Sequence, residues 1–261
     1  MPRYAEMSPA QLEAAWEAGA AAIVPWGALE WHGDHLPLGL DGIVAESFAE
    51  RLADQMEGVL LPGIWLPITT LPHPASLQIR TETFRAVLDD TLLGLAGAGV
   101  RSIAVVTGHY AQGHLIELYE AALRAMDDCP GLRVFAATPL QPLNDPSLLD
   151  HAARYETSQL LAIRPDLVHV EDLPDETEVR RDAVLGEHPR LGSAAEGHAL
   201  LQKGLEAWAT WIQTATRDSL EQFYKAEFDA LQAYVDAYYT GSWDEALEAW
   251  WATKDRRSPA T

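Results

Sequence analysis

Residues 21–41 read AAIVPWGALEWHGDHLPLGLD, a short apolar run that passes directly into a loop rich in acidic and histidine side chains. The apolar part, residues 21–28, contains small and β-branched residues and is typical of a buried strand. Residues 102–106 and 133–137 predict strands for the same reason, and a fourth strand is expected near residues 59–66. Helical segments alternate with these strands, so we expect an α/β protein with three α/β/α layers and a mostly parallel central sheet.

The segments between the strands predict helices, because their apolar residues recur at three- and four-residue spacing. We expect helices over residues 43–55, 83–97 and 113–126, and a further helix over residues 151–163 after a proline-rich loop. Near the N-terminus, residues 8–11 read SPAQ, which is the order of a capping box with proline at the first helical position. This pattern predicts a first helix.

From residue 193 onward the sequence predicts helices only. Capping-box patterns occur at Ser193/Glu196, Ser219/Gln222 and Ser242/Glu245. We divide the chain into an α/β domain, residues 1–216, and an aromatic-rich C-terminal helical extension, residues 217–256. The large aromatic side chains of the C-terminal helices are Trp208, Trp211, Phe223, Tyr224, Tyr234, Tyr238, Trp243, Trp250 and Trp251. Such side chains are seldom left in water, so we expect them to pack on the domain or to form a subunit interface.

The composition limits the classes of function. A chain of 261 residues with 48% hydrophobic content can bury a sizeable core. Its net charge of -21 opposes binding to nucleic acid and to anionic membranes, so we expect neither as a partner. The apolar stretch 18–29 is too short to span a bilayer, and the N-terminus lacks a signal-peptide pattern. Cys129 has no second cysteine to pair with, which fits a reducing compartment without excluding an exported protein, and we expect a cytoplasmic protein. The partner that we expect is a small-molecule substrate.

Ligand-type side chains follow the first predicted strand. Glu30 and His32 are two residues apart, so in an extended segment they point to the same side, and Asp41 arrives after a turn containing Gly and Pro. In open α/β sheets, ligands bind beyond the carboxyl ends of strands. A lone histidine in a loop is usually exposed and without a function. Crowding these titratable side chains together, however, would cost desolvation energy and charge repulsion unless a cation or a hydrogen-bond network compensated them. For His35 we expect a structural role beside the ligands.

A second group of polar residues follows the strand predicted at residues 102–106. It reads TGHYAQGH at residues 107–114. We expect Gly108 to allow an unusual backbone turn that places His109 at the strand end. His114 lies inside the following helix, where we expect a packed or solvated histidine rather than a ligand.

The third group, DHAARYETS at residues 150–158, contains His151 and Glu156. Taken alone, it is compatible with an ordinary helix terminus. The five-residue spacing places the two side chains on adjoining helical faces, so both reach one site only if His151 lies at the helix start. A mixed set of imidazoles and carboxylates suits zinc, manganese or iron better than calcium.

The three groups together resemble motifs of the creatininase family. They stand here as EWHGDHLPLGLD, TGHYAQGH and HAARYETS, in the family's order and spacing, and the likeness spans roughly residues 20–200. The resemblance implies a three-layer α/β fold, two divalent metal ions, hydrolysis of carbon–nitrogen bonds in cyclic or linear amides, and a homo-oligomer that is often a hexamer. Zinc and manganese are the metals we expect, with iron as an alternative.

By position, the resemblance assigns Glu30 and His109 to one metal ion and His32 to the second. Asp41 would bridge the two ions, so that water is activated and a substrate oxygen is polarised between them. His151 matches the family residue that handles protons near the leaving group, a natural task for an imidazole at neutral pH.

Three positions depart from the family motifs. Thr107 replaces an asparagine, and Ala153 replaces a glycine of the third motif. Ala111 stands where creatininase has a metal-binding glutamate, and alanine cannot bind a metal. Glu156, from the third motif, is therefore the candidate for the missing ligand and for a catalytic carboxylate.

The resemblance places Tyr110 and Gln112 in the substrate pocket. Since no tryptophan of the kind that encloses creatinine precedes His151, we expect a substrate other than creatinine. The leading interpretation is a metal-dependent amidohydrolase. Two alternatives remain open at this point: a hydrolase of a cyclic keto-polyol on the same metal centre, and a non-catalytic binding protein that keeps the fold.

Overall fold

The computed structural model describes the backbone of residues 1–240 and the side chains of residues 1–229. Several predicted features therefore lie outside the described residues: the side chains of Tyr234 and Tyr238, the residues Trp243, Trp250 and Trp251, and the capping pattern Ser242/Glu245.

Four parallel strands form the central sheet. They are β1 Ala22–Trp26, β2 Val59–Leu60, β3 Ser102–Thr107 and β4 Arg133–Ala137, in the order β2-β1-β3-β4. The strand predicted over residues 59–66 is shorter than expected. A proline and a glycine at positions 62 and 63 interrupt it, and a single bridge between Trp26 and Ile64 continues the pairing.

Eight α-helices surround the sheet in the described part of the chain. They are α1 Pro9–Glu17, α2 Leu40–Met56, α3 Thr81–Gly97, α4 Gln112–Asp128, α5 Arg154–Ile163, α6 Val179–Asp182, α7 Ala194–Thr214 and α8 Arg217–Thr240. Short 3-10 helices lie at Tyr4–Glu6, Gln141–Leu143, Pro146–Leu148, Pro165–Leu167, Val170–Asp172 and Pro189–Leu191.

The connections between strands place these helices on both faces of the sheet. Helix α2 links β1 to β2 on one side, whereas α3 leads from β2 past β1 to β3. With right-handed crossovers, α2 covers one face and α3 and α4 cover the other. The packing agrees, because α2 contacts α5 and α7 while α3 contacts α4. The predicted three-layer α/β fold is therefore confirmed.

The core lies between the sheet and both helical layers. All five residues of β1 and all six of β3 are buried, as is typical of parallel strands covered on both faces. Phe48 and Leu52 of α2 and Phe84 and Leu88 of α3 are also almost fully buried and extend the core to each side.

Helix α8 closes the open edge of the sheet at β4. The buried hydroxyl of Tyr224 accepts a hydrogen bond from the Ala136 N–H (2.9 Å) and donates one to the Val134 carbonyl (2.7 Å). Burial raises the pKa of this hydroxyl. One side chain thus satisfies both backbone groups that a fifth strand would otherwise pair, and the edge is protected against contact with another strand.

The aromatic residues of α7 and α8 pack on the sheet. Trp208 lies 4.6 Å from Phe135 and 6.0 Å from Phe48 between ring centroids, and its indole N–H donates to the Thr138 carbonyl. Trp211 stacks on Phe135 at 5.1 Å. These contacts attach α7 to the α/β core, and Phe223 of α8 adds a contact with Phe135 at 5.4 Å.

Helix starts follow the predicted caps in part. The reciprocal Ser8 and Gln11 pair is present. Ser193 caps α7 by accepting from the Glu196 N–H, but the Glu196 carboxylate binds α5 instead of completing the box. The prediction of a Ser219/Gln222 cap is wrong: Thr216 and Ser219 cap α8 through reciprocal bonds, so the helix begins two residues earlier than Ser219.

The helix predicted over residues 151–163 begins at Arg154. Asp150 ends the preceding loop, and its carboxylate accepts from the backbone N–H groups of Tyr155 and Glu156. His151 lies before the helix, paired with Leu185 in an isolated bridge. The cap at Asp150 therefore moves the helix start and frees the His151 side chain from the helix.

Within the described residues, every helix is too short or too polar to cross a membrane.

Candidate metal centre

The candidate site lies where β1 and β3 end. These neighbouring strands lead to connections that leave in opposite directions, β1 toward β2 and β3 toward β4. A crevice forms at such a position in open α/β sheets. Glu30 and His32 follow β1, and His109 follows β3, so the loops of two strands bring these residues to the same crevice.

Glycines allow α2 to approach both strand ends closely. A Cβ atom on Gly27 would overlap the backbone of Gly42, and one on Gly108 would overlap the carbonyl oxygen of Asp41. The prediction of an unusual turn at Gly108 is wrong, because Gly108 is not among the described glycines with a positive φ. The close approach of α2 explains why a glycine stands here. As a result, Asp41 in the first turn of α2 is held between the ends of β1 and β3.

The first donor set consists of Glu30, Asp41 and His109. The Nδ1 atom of His109 lies 2.9 Å from Glu30 Oε2 and 3.2 Å from Asp41 Oδ2. All three side chains are buried, and their atoms lie within 4.8 Å of one another, the spacing of a potential metal site.

The second donor set consists of His32, Asp41 and Glu156. The Nε2 atom of His32 lies 3.3 Å from Asp41 Oδ1 and 3.5 Å from Glu156 Oε2. The potential ligand atoms of these three side chains also lie within 4.8 Å of one another, and all three residues are buried. Asp41 thus belongs to both sets, with one carboxylate oxygen facing each.

The donor atoms fit divalent cations. Among the described side chains, His32 Nε2, Asp41 Oδ1 and Glu156 Oε1 are buried without a hydrogen-bond partner. Buried polar atoms normally have one, and three carboxylates together repel each other. Two cations would satisfy these atoms and neutralise the carboxylates, and the mixture of imidazole and carboxylate suits zinc, manganese or iron.

The negative charge of the neighbouring carboxylates raises the pKa values of His32 and His109. Burial alone lowers the pKa of His32, but the carboxylates of Asp41 and Glu156 outweigh it and raise this pKa to about 10. The pKa of His109 is also raised well above its usual value, against burial, by Glu30 and Asp41. For Glu156, burial raises the pKa of the carboxyl group. Protons on these side chains therefore supply the positive charge that bound cations would otherwise provide.

Backbone groups orient the ligand side chains. The Nδ1–H of His32 donates to the Glu30 carbonyl (3.0 Å), and the Nε2–H of His109 donates to the Ile68 carbonyl (3.0 Å). These bonds leave His32 Nε2 and His109 Nδ1 directed at the carboxylates, unprotonated when a cation is bound. The backbone N–H of Leu71 donates to Glu30 Oε1. Ile68 and Leu71 could not be found from the sequence, because every residue carries the same backbone groups.

His151 lies at the rim of the site. Its Nε2–H donates to the Trp31 carbonyl (3.1 Å), so the unprotonated Nδ1 faces inward, 3.9 Å from Glu30 Oε2 and 4.0 Å from Glu156 Oε2. Its side chain is 13% exposed, whereas those of Glu30 and Glu156 are 4% and 2% exposed. Burial, with the charge of His32, lowers the pKa of His151 to about 4.

The segment that carries His151 is held from both sides. His35 is fully buried, and its Nε2–H donates to the Ala152 carbonyl (2.8 Å). The Ala152 N–H donates to Glu156 Oε2 (2.6 Å), and Ala152 has a left-handed backbone with φ 49°. Burial lowers the pKa of His35 to about 4. These contacts agree with the structural role expected for His35.

The remaining residues of the second motif surround His109. Thr107 accepts from the His109 N–H (3.2 Å) and lies 3.2 Å from Nε2 of the buried His114. His114 packs against Phe84 and His109, as expected for a packed histidine. The Tyr110 hydroxyl is directed into the protein, where burial raises its pKa, and Gln112 is buried in the first turn of α4. Their roles in substrate binding stay predictions.

Residues 5–212 match the family model for creatininase, described as creatinine amidohydrolase. The chain belongs to the creatininase family. This confirms the resemblance seen in the three motifs. A curated relative, creatinine amidohydrolase from Pseudomonas putida, is 25% identical over an alignment of 195 residues, and the match covers 65% of this chain and 75% of that protein.

Solved creatininase structures share the fold. A crystal structure of creatinine amidohydrolase superposes with a TM-score of 0.70 at 22% identity and covers 80% of this chain and 96% of its own. A structure named creatininase Mn gives a TM-score of 0.69 at 21% identity, covering 81% and 97%. A mutant creatininase of Zn-Zn type gives 0.69 at 20% identity, covering 81% and 96%.

Proposed function

We propose that this chain is a metal-dependent hydrolase that cleaves a carbon–nitrogen bond in a small cyclic or linear amide. The observation that carries the proposal is the Asp41 carboxylate, which faces His109 with one oxygen and His32 with the other. A shared carboxylate between two donor sets is the arrangement expected for a pair of divalent ions. Membership in the creatininase family supports an amidohydrolase reaction.

Zinc and manganese are the ions we propose. The donor sets mix imidazole nitrogen with carboxylate oxygen, which both metals accept. Two creatininase structures of similar fold are named for a Zn-Zn type and for Mn. Glu30, Asp41 and His109 would hold one ion, and His32, Asp41 and Glu156 would hold the other. In this arrangement Glu156 supplies the carboxylate that Ala111 cannot.

Bound ions would polarise the substrate carbonyl and make water a stronger nucleophile. The protein supplies a site from which bulk water is excluded, because the ligand side chains are almost fully buried. His151 supplies proton transfer. Its Nε2–H is fixed to the Trp31 carbonyl, so Nδ1 is free to accept a proton from the attacking water and deliver it to the departing nitrogen.

The substrate we propose is an amide other than creatinine. The residues directly before His151 are Leu148, Leu149 and Asp150, so the sequence lacks at this position the tryptophan expected for creatinine binding. A different pocket wall selects a different substrate on the same metal frame.

Elemental analysis of the purified full-length protein tests the proposal. We expect about two zinc or manganese ions per chain after loading. Asp41→Asn should lose most of both ions, because Asp41 belongs to both donor sets, whereas Glu156→Gln should keep the ion of the first set. Glu187→Gln removes an exposed carboxylate that binds Arg154, and it should retain both ions.

Activity should follow the metal content. We expect turnover of at least some members of a panel of lactams and formamides, abolished by a chelator and restored by added zinc or manganese. A protein that stays metal-free after loading, or a turnover that chelators leave untouched, contradicts the proposal.

A further inference from the structure

A pocket of about 280 Å³ lies beside the candidate metal centre. Its walls come from three separate segments, and its lining residues are Trp31, Leu71, Pro72, Val179 and Arg180. The volume is at the small end of the range of roughly 300–1,000 Å³ that is typical of ligand pockets. Its occupant is therefore a compact group, about the size of one ring.

Two walls of the pocket are bonded directly to residues of the metal centre. Trp31 stands between Glu30 and His32 in the sequence, and its carbonyl accepts from His151 Nε2–H at 3.1 Å. The Leu71 N–H donates to the Glu30 carboxylate. These two walls therefore share their backbone with the candidate ligands.

Helix α6 supplies the third wall and is fixed against the same site. From Val179 the chain continues to Leu185, whose N–H donates to the His151 carbonyl (2.8 Å) and whose carbonyl accepts from the His151 N–H (3.0 Å). A Cβ atom on Gly33 would overlap the carbonyl oxygen of Asp182, so this segment also packs closely on the loop that carries the ligands. The pocket therefore adjoins the rim of the metal centre at which His151 lies.

The half-buried Trp31 indole is held in place by the protein itself. Its ring stacks on His73, with 4.7 Å between the ring centroids and 18° between the planes. The Trp31 N–H donates to Ser76 Oγ (3.0 Å), and the Ser76 hydroxyl donates to the Leu71 carbonyl (2.9 Å). Because the ring is already positioned, a ligand that packs on it has little side-chain ordering to offset.

The lining of the pocket is mainly apolar. Trp31, Leu71, Pro72 and Val179 offer an aromatic ring and hydrocarbon surface. Arg180 already has an interaction partner within the protein, and we assign it no part in binding. An apolar group gains free energy when it is buried against such a lining, whereas a hydroxyl group would lose its hydrogen bonds to water. The lining therefore favours an apolar group over the hydroxyl-rich ring of a keto-polyol.

We propose that the substrate is a small amide with an uncharged apolar group about the size of a phenyl ring, and that this group packs on the Trp31 indole. This inference rests on the proposed function, because it assigns the pocket to the substrate of the same metal centre. Trp31 acts as a specificity-determining residue and takes no part in bond cleavage.

Calorimetric titration with two hydroxamates tests the binding step without any turnover. A hydroxamate group binds zinc or manganese through its two oxygens, and 3-phenylpropanohydroxamate differs from propanohydroxamate only in the phenyl ring. The ratio of their affinities for the metal-loaded full-length protein therefore isolates the contact of the ring. We expect the phenyl compound to bind about tenfold to hundredfold more tightly, the contribution of one buried aromatic side chain.

Changes in two walls of the pocket should lower this affinity ratio. Trp31→Ala removes the indole and should lower the ratio at least about fivefold. Val179→Asp places a carboxylate in the wall formed by α6 and should lower the ratio at least about tenfold. Because Val179 is half-buried on a short surface helix, this variant tests the pocket even if Trp31→Ala fails to fold.

Trp211→Ala is the matched control. Trp211 is also a half-buried tryptophan that stacks on another ring, that of Phe135, but it belongs to α7 and does not line the pocket. This variant should leave the affinity ratio within about twofold of wild type. An equal loss in Trp211→Ala and Trp31→Ala overturns the inference, since a general loosening of the fold would explain both. A preference for the phenyl compound that survives both pocket variants overturns it as well.

The same titrations separate this inference from the proposed function. Equal affinities of the wild type for the two hydroxamates refute the apolar substrate group and leave the metal centre standing. Failure of both hydroxamates to bind the metal-loaded protein contradicts the metal centre, and the inference fails with it. The expected ratio in a protein that turns over no lactam or formamide contradicts the proposed reaction alone.

Discussion

Asp41 shows how a single residue organises the candidate site. It lies in the first turn of α2, where the helix dipole favours a negative charge, and it is almost fully buried. Its two oxygens face two different histidines, His32 and His109, that follow different strands. Any shift of α2 therefore changes both donor sets together.

Glu156 lies where a carboxylate from another element could replace the one that Ala111 lacks. Ala111 precedes α4 and has only a methyl group to offer, whereas Glu156 reaches the same cluster from the first turn of α5. Its carboxylate is fixed by the Ala152 N–H and lies 3.5 Å from His32. This position is compatible with the compensation predicted from the sequence, and the role of Glu156 as a ligand stays a prediction.

His35 makes the stability of the protein depend on pH. Its folded-state pKa is lowered by burial from 6.5 to about 4, so between these values the unfolded chain binds more protons than the folded one. The contribution of His35 to the free energy of unfolding is complete above pH 6.5 and declines as the pH falls toward 4, by at most about 1.4 kcal/mol per pH unit.

His35→Gln should flatten this part of the pH profile. The glutamine amide can still reach the Ala152 carbonyl, so we expect a loss of only about 1 kcal/mol at pH 7.5. The stability difference from wild type should shrink as the pH falls below 6.5 and should change sign before pH 4, where the variant becomes the more stable protein, as measured by urea unfolding at several pH values. The exposed His169→Gln variant serves as the control, and a parallel profile for His35→Gln would show that His35 is not the titrating group.

At the residue scale, the sequence predicted the side chains of the site but not their supports. Glu30, His32 and Asp41 were recognisable because ligand-type residues clustered directly after an apolar strand, and the structure brings them together with His109. The backbone donors and acceptors that orient them have no sequence signal. The carbonyl of Ile68 is an example, because its use depends on how a distant loop folds.

The approach of α2 to the strand ends is the contact between elements that positions the site. Gly108→Ala would place a methyl group against the Asp41 carbonyl, so we expect a loss of about 2–3 kcal/mol in stability together with reduced metal content. Gly94→Ala is the matched control. Gly94 lies exposed within α3 with open space around it, so alanine there should stabilise the protein by about 0.5–1 kcal/mol.

Thermal or urea unfolding and elemental analysis check both glycine variants. If Gly108→Ala kept wild-type stability and metal content, the close packing of α2 on β3 would not be what positions Asp41.

The contact between α8 and β4 depends on one hydroxyl group. Tyr224→Phe would leave the buried Ala136 N–H and Val134 carbonyl without their partner, at a cost of about 2–3 kcal/mol in the free energy of unfolding. Tyr4→Phe, in a half-buried tyrosine near the N-terminus, should change stability by less than about 0.5 kcal/mol. Equal effects of the two substitutions in urea unfolding would show that water replaces the hydroxyl at the strand edge.

At the scale of elements, periodicity located the strands and helices but not their exact ends. The apolar runs at β1, β3 and β4 were predicted within a few residues. The predicted start of α5, at residue 151, differs from the observed start at Arg154. Asp150 caps the helix, but the residues between Asp150 and Arg154 have a non-helical backbone. The role of Tyr224 at the sheet edge was also hidden, since a tyrosine in a helix gives no indication of which backbone groups it meets.

At the scale of the whole molecule, we predict a homo-oligomer. The aromatic residues at positions 243, 250 and 251 lie outside the described part of the chain, and the sequence predicts that they either pack on the domain or contribute to a subunit interface. Sedimentation velocity of the full chain should give a species several times the 28.7 kDa chain mass, with a hexamer as the specific expectation. A single monomeric species at micromolar concentration would refute the interface.

Membership in the family and the topology of the sheet explain why the site could be placed before its geometry was known. Glu30, His32 and His109 converge because the neighbouring parallel strands β1 and β3 deliver their carboxyl ends to one edge. Asp41 and Glu156 reach the same place from the first turns of α2 and α5. The substrate could not be predicted in the same way, since part of the pocket beside the site is lined by residues 179–180, a separate segment that bears no motif.

The tyrosine that closes the sheet also has a consequence for synthesis on the ribosome. Tyr224 follows its partner Val134 by 90 positions, so β4 is made long before the side chain that covers it. At about 5–20 residues per second, this interval lasts roughly 5–20 s. During that time the nascent sheet presents a bare strand, and a chaperone or rapid translation of the last helices would protect it from pairing with a neighbouring chain.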